Sequence, residues 1–158
     1  VSRADQHAPL PPHRTERWGR FGQAEGDGGE YFINIVGIEV EEIRTDYCRM
    51  RLPWRRQITQ PAGVAHGGAL ATLLDAVVVP AIGSGYDEPM GFSTVDLHIQ
   101  YLNALVGEDA VAEGWIVQRG RSMVFCEAEI TGASSGKRIA RSVLTYKLLG
   151  ARKDQPSA

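Results

Sequence analysis

The sequence predicts an α+β domain in which an antiparallel sheet wraps around one long central helix. Two patterns predict it. Between Val64 and Tyr86 the apolar residues Leu70, Leu73, Leu74, Val77 and Val78 recur at helical spacing. After Gly91 the period changes to two and runs through consecutive strands joined by short turns, a pattern that pairs neighbours antiparallel. The helix is apolar over most of its surface, so it must be buried. A curved sheet around it satisfies both patterns.

The elements follow in order. Pro9, Pro11 and Pro12 open an N-terminal arm, residues 1–30, which Gly26, Gly28 and Gly29 close. Inside it, His13 to Ala24 is expected to hold a short helix with Trp18 and Phe21 on one side. Phe32 to Ile43 and Asp46 to Leu52 read as two strands. Pro53 and Pro61 bracket a loop, and Pro80 is expected to end or kink the central helix, because proline lacks an amide donor and crowds the preceding turn. Val95, Leu97, Ile99 and Tyr101 then alternate with Thr94, Asp96, His98 and Gln100. Further strands are expected from Val111 to Gln118, from Val124 to Thr131 and from Ile139 to Leu149, with a turn at Ser134-Ser135-Gly136. The body spans 31–150, and residues 151–158 form a polar tail.

Composition excludes several classes. A chain of 158 residues with 43% hydrophobic and 23% charged residues fits one globular domain. Its net charge of −2 offers no basic excess for nucleic acid. No apolar run is long enough to span a membrane, and the first residues lack the apolar core of a secretory signal. Cys48 and Cys126 each sit in a strand-like apolar pattern with no second Cys nearby, so they read as buried free thiols, with no metal expected. Reduced thiols fit the cytoplasm.

One residue breaks the apolar helix. Asp75 is the only formally charged side chain between Pro61 and Tyr86, flanked by Leu73, Leu74, Ala76, Val77 and Val78. A carboxylate there is costly unless paired, hydrogen-bonded or protonated. It is either a polar position on an exposed helix edge or a catalytic carboxylate in a partly dry cleft. Gly67 and Gly68 favour the second reading. A helix N-terminus has unpaired N–H groups and a partial positive charge, and glycine lets a ligand approach them. Such donors suit the oxyanion formed when a carbonyl is attacked. His66 and Asp75 are nine residues apart, roughly 13 Å of helical rise and about half a turn. If both ends act on one carbonyl, they come from different subunits of a two-fold dimer.

The run Gly63-Val64-Ala65-His66-Gly67-Gly68-Ala69-Leu70-Ala71-Thr72-Leu73-Leu74-Asp75 resembles the signature of the phenylacetate-pathway (PaaI-like) hotdog thioesterases. Thr94 to Leu102 resembles the strand that follows that helix, and Gly120-Arg121-Ser122 and Gly136-Lys137 match the family's turns. The resemblance implies a hotdog fold, a homodimer often paired into a homotetramer, and metal-free hydrolysis of acyl-CoA thioesters, with coenzyme A part of the substrate rather than a cofactor. It implies Asp75 as nucleophile or general base, Gly67 as oxyanion-hole amide and His66 as the residue that orients the thioester. It also implies Gln60 near the attacking water or the substrate, and Thr94 or Ser93 as the hydroxyl positioning that water. Further substrate contacts are expected from Gly68 and from the rim residues Gly120, Arg121, Ser122, Lys137 and Arg138, since Arg suits phosphate. Asp96 and His98 read as structural or interface residues. Gln60 matches the 4-hydroxybenzoyl-CoA branch, which carries Glu where this chain has Asp75; the acyl group is therefore open. The competing readings are a hotdog hydratase or dehydratase, whose His motifs are absent, and a non-catalytic acyl-CoA-binding domain.

Overall fold

Helix α3 (Gly67–Gly83) connects the strand pair β1 (Glu39–Arg44) and β2 (Tyr47–Leu52) to β3 (Met90–Tyr101), β4 (Ala110–Arg119), β5 (Met123–Gly132) and β6 (Arg138–Ala151). The computed structural model describes residues 2–19, 21 and 31–151. The six strands form one antiparallel sheet in the order β1-β2-β4-β5-β6-β3. The chain leaves β2 through α3, reaches the far edge as β3, and fills the gap with the remaining three strands. This is the architecture expected from the two periodicities.

The helix is buried because its apolar residues meet the inward side of the sheet. Leu73, Leu74, Val77, Val78, Ala81 and Ile82 are fully buried against Met50, Leu52, Ala112, Val124, Ile130 and Leu144. Each buried Leu, Val, Ile or Met among them contributes roughly 1.5–3 kcal/mol when removed from water. Gly114 on β4 sets the approach: a Cβ there would lie 2.8 Å from Val77 Cγ1 and 3.0 Å from Val78 Cγ1. No larger residue lets the helix lie so close.

Three expectations are corrected. Phe32 to Val36 is not strand but a short helix, α2 (Phe32–Val36), and β1 begins only at Glu39. Gly37, at φ 81°, closes α2 by donating to the Ile33 and Asn34 carbonyls. This turns Ile33 and Val36 onto the core and leaves Phe32 and Ile35 outside. Pro80 does not end α3, which runs on to Gly83. Bonds from outside hold its last turn: Arg119 donates to the Ala81 and Ile82 carbonyls, Ser84 N–H to Pro80 O, and Ser84 Oγ to Ala81 O. The alternation along β3 is broken by a register shift between Thr94 and Asp96. Thr94 pairs with inward-facing Tyr146 and Asp96 with Thr145, leaving Val95 as the extra residue of a bulge.

The arm helix, α1 (Pro12–Trp18), is shorter than expected; residues 20 and 22–30 lie outside the described residues. Trp18 packs directly over Gly83, where no Cβ would fit. Arg14 donates to Ser84 O and Arg17 to Tyr86 O. The arm also covers the free edge of β1, through the Pro9–Arg44 bridge and the Thr45 N–H to Ala8 O bond. The outer edge of β3 pairs with no strand among the described residues. Of the expected tail, 151–158, Ala151 instead ends β6, and residues 152–158 lie outside the described residues. No described helix is long and apolar enough to cross a membrane.

Candidate active site

The loop before α3 is tied down on both sides. Ala65 N–H bonds Leu105 O, and His66 N–H bonds Ile58 O. His66 then serves as N-cap: its Nδ1 accepts the Gly68 N–H at 2.9 Å. A neutral ring that accepts at Nδ1 carries its proton on Nε2. The Ala69 and Leu70 amides turn back to His66 O. Among the described residues no acceptor meets the Gly67 N–H, so of the two glycine amides it is the one without a partner. Tyr101 donates its hydroxyl to Gly67 O at 2.7 Å, and its ring lies against the Gly67 Cα.

Asp75 lies on a partly exposed side of α3. Thr94 Oγ1 donates to its Oδ1 at 3.1 Å, and the Tyr146 hydroxyl donates to the same oxygen at 2.5 Å. Among the described residues no bond reaches Oδ2. Burial, and then the bond to Asp75, hold the Tyr146 phenol above the ordinary tyrosine range, so it stays a donor.

The family model of the thioesterase superfamily matches residues 62–138. Acyl-coenzyme A thioesterase 13 of Mus musculus is 33% identical over 117 residues, covering 73% of this chain and 79% of that one. The chain belongs to the thioesterase superfamily. The solved zebrafish thioesterase superfamily member 2 is 27% identical, with a TM-score of 0.68 over 86% of this chain and 96% of that one. The Escherichia coli PaaI protein, from the phenylacetic acid degradation operon, shares the fold: TM-score 0.69 at 18% identity, over 75% of this chain and 84% of that one. The hotdog fold read from the sequence is thereby borne out.

Within this superfamily chain the expected residues fall into separate places. Thr94 reaches Asp75, whereas Ser93 pairs with Lys147 on the opposite side of the pleat. Gln60 stands in a tight turn with Gly63 N–H on its carbonyl, and its Oε1 accepts the Ala62 N–H at 3.2 Å. Gly120, Arg121 and Ser122 form the β4–β5 turn, where Ser122 O accepts the Leu148 N–H. Lys137 and Arg138 lie at the other end of β5, roughly 30 Å of strand away. One chain therefore does not bring the two rim groups together. Arg138 is paired with Glu129 at 3.2 Å. Sequence reasoning missed Tyr146 and Tyr101. Tyr146 shares its inward parity with Leu144 and Leu148, a legible signal, but nothing local marks its partner. The Cys48 and Cys126 thiols are buried and free, and burial pushes Cys126 up to about 12. Among the described residues no group of three or more His, Cys, Asp or Glu is placed to hold a metal ion.

Proposed function

We propose that the protein hydrolyses acyl-CoA thioesters to the free acid and coenzyme A. The observation that carries this reading is the carboxylate of Asp75: alone on an apolar helix, bonded through one oxygen by two hydroxyls, with its second oxygen unbonded by any described residue. The kinship with a thioesterase named for acyl-coenzyme A supports the substrate class.

In this reading the thioester oxygen rests on the Gly67 N–H, with His66 orienting the ester and Gln60 near the attacking water. Asp75 acts in one of two ways. Its oxygen bonds the carbonyl carbon and the C–S bond breaks, releasing the coenzyme A thiolate; water then cleaves the mixed anhydride, freeing the acid and the Asp75 carboxylate and giving a proton to the thiolate. Or it takes a proton from water as the water oxygen bonds that carbon; the C–S bond breaks and the proton passes to the departing thiolate. The helix start and Asp75 stand too far apart in one chain to share a carbonyl, so two copies supply one site. The open edge of β3 fits that pairing: it is a long strand with Val95 57% and Tyr101 52% exposed, the kind of edge proteins otherwise cover. Arg121, Lys137 and Arg138 are the candidates for coenzyme A phosphates. Pairing of such dimers into a tetramer is part of the proposal, checked by light scattering.

The test is free coenzyme A release from a panel of aromatic and aliphatic acyl-CoAs. The native protein is expected to release thiol, and Asp75→Ala to lose turnover by orders of magnitude while remaining folded. Tight binding without release points instead to a binding domain, and hydration of an enoyl-CoA to a hydratase.

A further inference from the structure

Helix α3 supplies Asp75 with no polar side chain at hydrogen-bonding distance, so whatever orients the carboxylate comes from the sheet. An aspartate carboxylate turns in a broad, roughly two-fold well, and a site built for one carbonyl needs it fixed. Two hydroxyls do this, and they stand side by side: Thr94 on β3 and Tyr146 on β6 are Cα partners in the ladder. Of the two, Tyr146 is the rigid one. It is 2% exposed, and its ring meets Phe92 edge-on at 6.0 Å between centroids. Its hydroxyl also lies 3.1 Å from the Asp75 backbone carbonyl. One phenol therefore touches both the side chain and the main chain of the same helical residue.

We propose that Tyr146 is a positioning residue for the hydrolysis: with the Thr94 hydroxyl it occupies Oδ1 of Asp75, and so presents Oδ2 to the thioester carbonyl or to the attacking water. The inference rests on the thioesterase reading. Its chemistry is simple. Donors on Oδ1 engage that oxygen's lone pairs. Oδ2 keeps its own for carbon or for a proton. A phenol suits the task because it has no charge of its own to set against the carboxylate and no stem long enough to swing away.

Tyr146→Phe keeps the ring and removes only the hydroxyl. We expect kcat to fall about 10- to 100-fold with KM within about twofold, since the lost contact orients the reacting group rather than binding substrate. A second measurement does not depend on that variant folding: 3-fluorotyrosine placed at 146 in the otherwise native chain, followed by ¹⁹F NMR. Its resonance is expected to move when Asp75→Asn is introduced. A folded Tyr146→Phe with native kcat, or a fluorine signal indifferent to Asp75→Asn, overturns the positioning role. A native protein that releases no coenzyme A overturns the thioesterase reading instead, and the fluorine result still decides whether phenol and carboxylate are coupled; an Asp75→Asn variant of native activity leaves the hydrolysis standing and overturns the role of Asp75, and with it the positioning role.

Discussion

Nδ1 of His66 accepts the N–H of Gly68 at 2.9 Å, so the ring that heads α3 determines which glycine amide stays free. Glycine at 68 is part of that arrangement, because a Cβ there would stand 3.0 Å from the same nitrogen. Loss of a side-chain N-cap costs about 0.5–2 kcal/mol. His66→Ala is expected to lower the free energy of unfolding by about 1 kcal/mol in urea titration. His66→Asn, which can still accept from the first turn, is expected to recover most of it. Equal stability of all three proteins would mean the cap contributes nothing.

The bulge at Val95 makes a second outcome specific. It places Thr94 on the helix side and Ser93 beside Lys147 on the other. Thr94→Val is expected to lower kcat about tenfold, the loss of one hydrogen bond to a charged group. Ser93→Ala is expected to leave kcat unchanged. The reverse pattern in steady-state kinetics would assign the hydroxyl to Ser93.

The same bulge shows where sequence reasoning stops. Asp75 was legible because it is the sole charge on an apolar period, and Gly67 because it begins that period. The choice between Thr94 and Ser93 was not, since alternation gives a strand's parity only until an extra residue reverses it. Tyr146 lies 71 residues from Asp75; its inward side could be read, its partner only folded into place. Phe32 to Val36 has strand-like composition, yet Gly37 and the packing of Ile33 and Val36 make it helical. Pro80 signals a helix end that Arg119 and Ser84, arriving from β4 and the following turn, override.

Stability at high pH follows from the buried thiol. Burial raises Cys126 from 9.0 to about 12. The unfolded chain therefore gives up this proton first as pH rises. The contribution is whole below about pH 9 and is lost as pH climbs towards about 12. Cys48, Tyr47 and Tyr146 are raised as well, by burial first, and add to the decline. Cys126→Ala is expected to start less stable near neutral pH, because it opens a small cavity. Its stability should then fall less steeply, by about 1.4 kcal/mol per pH unit for the one missing proton. Urea midpoints measured from about pH 8 to 11 check this. Parallel slopes for the two proteins would show that Cys126 does not titrate with unfolding.

The proposed division of the site between two copies can be tested by joining two broken chains. Proline at Gly67 removes the amide proton and little else. Position 67 is the first of the helix, where proline is well accepted, and His66, at φ −68° and ψ 131°, already has the extended backbone that precedes proline. The nearest atoms to a Cβ there are those of the Tyr101 ring at 3.4 Å, an ordinary contact. Gly67→Pro is expected to fold normally and to lose about 10²–10³-fold in kcat, the loss typical of an oxyanion donor. Asp75→Asn is expected to be inactive. Unfolded together in equal amounts and refolded, half the dimers are mixed, and each mixed dimer holds one intact site, with Gly67 from one chain and Asp75 from the other. About a quarter of native activity should return. If each chain carried a complete site, every site in the mixture would lack one of the two groups, and no activity would return above the sum of the separate variants.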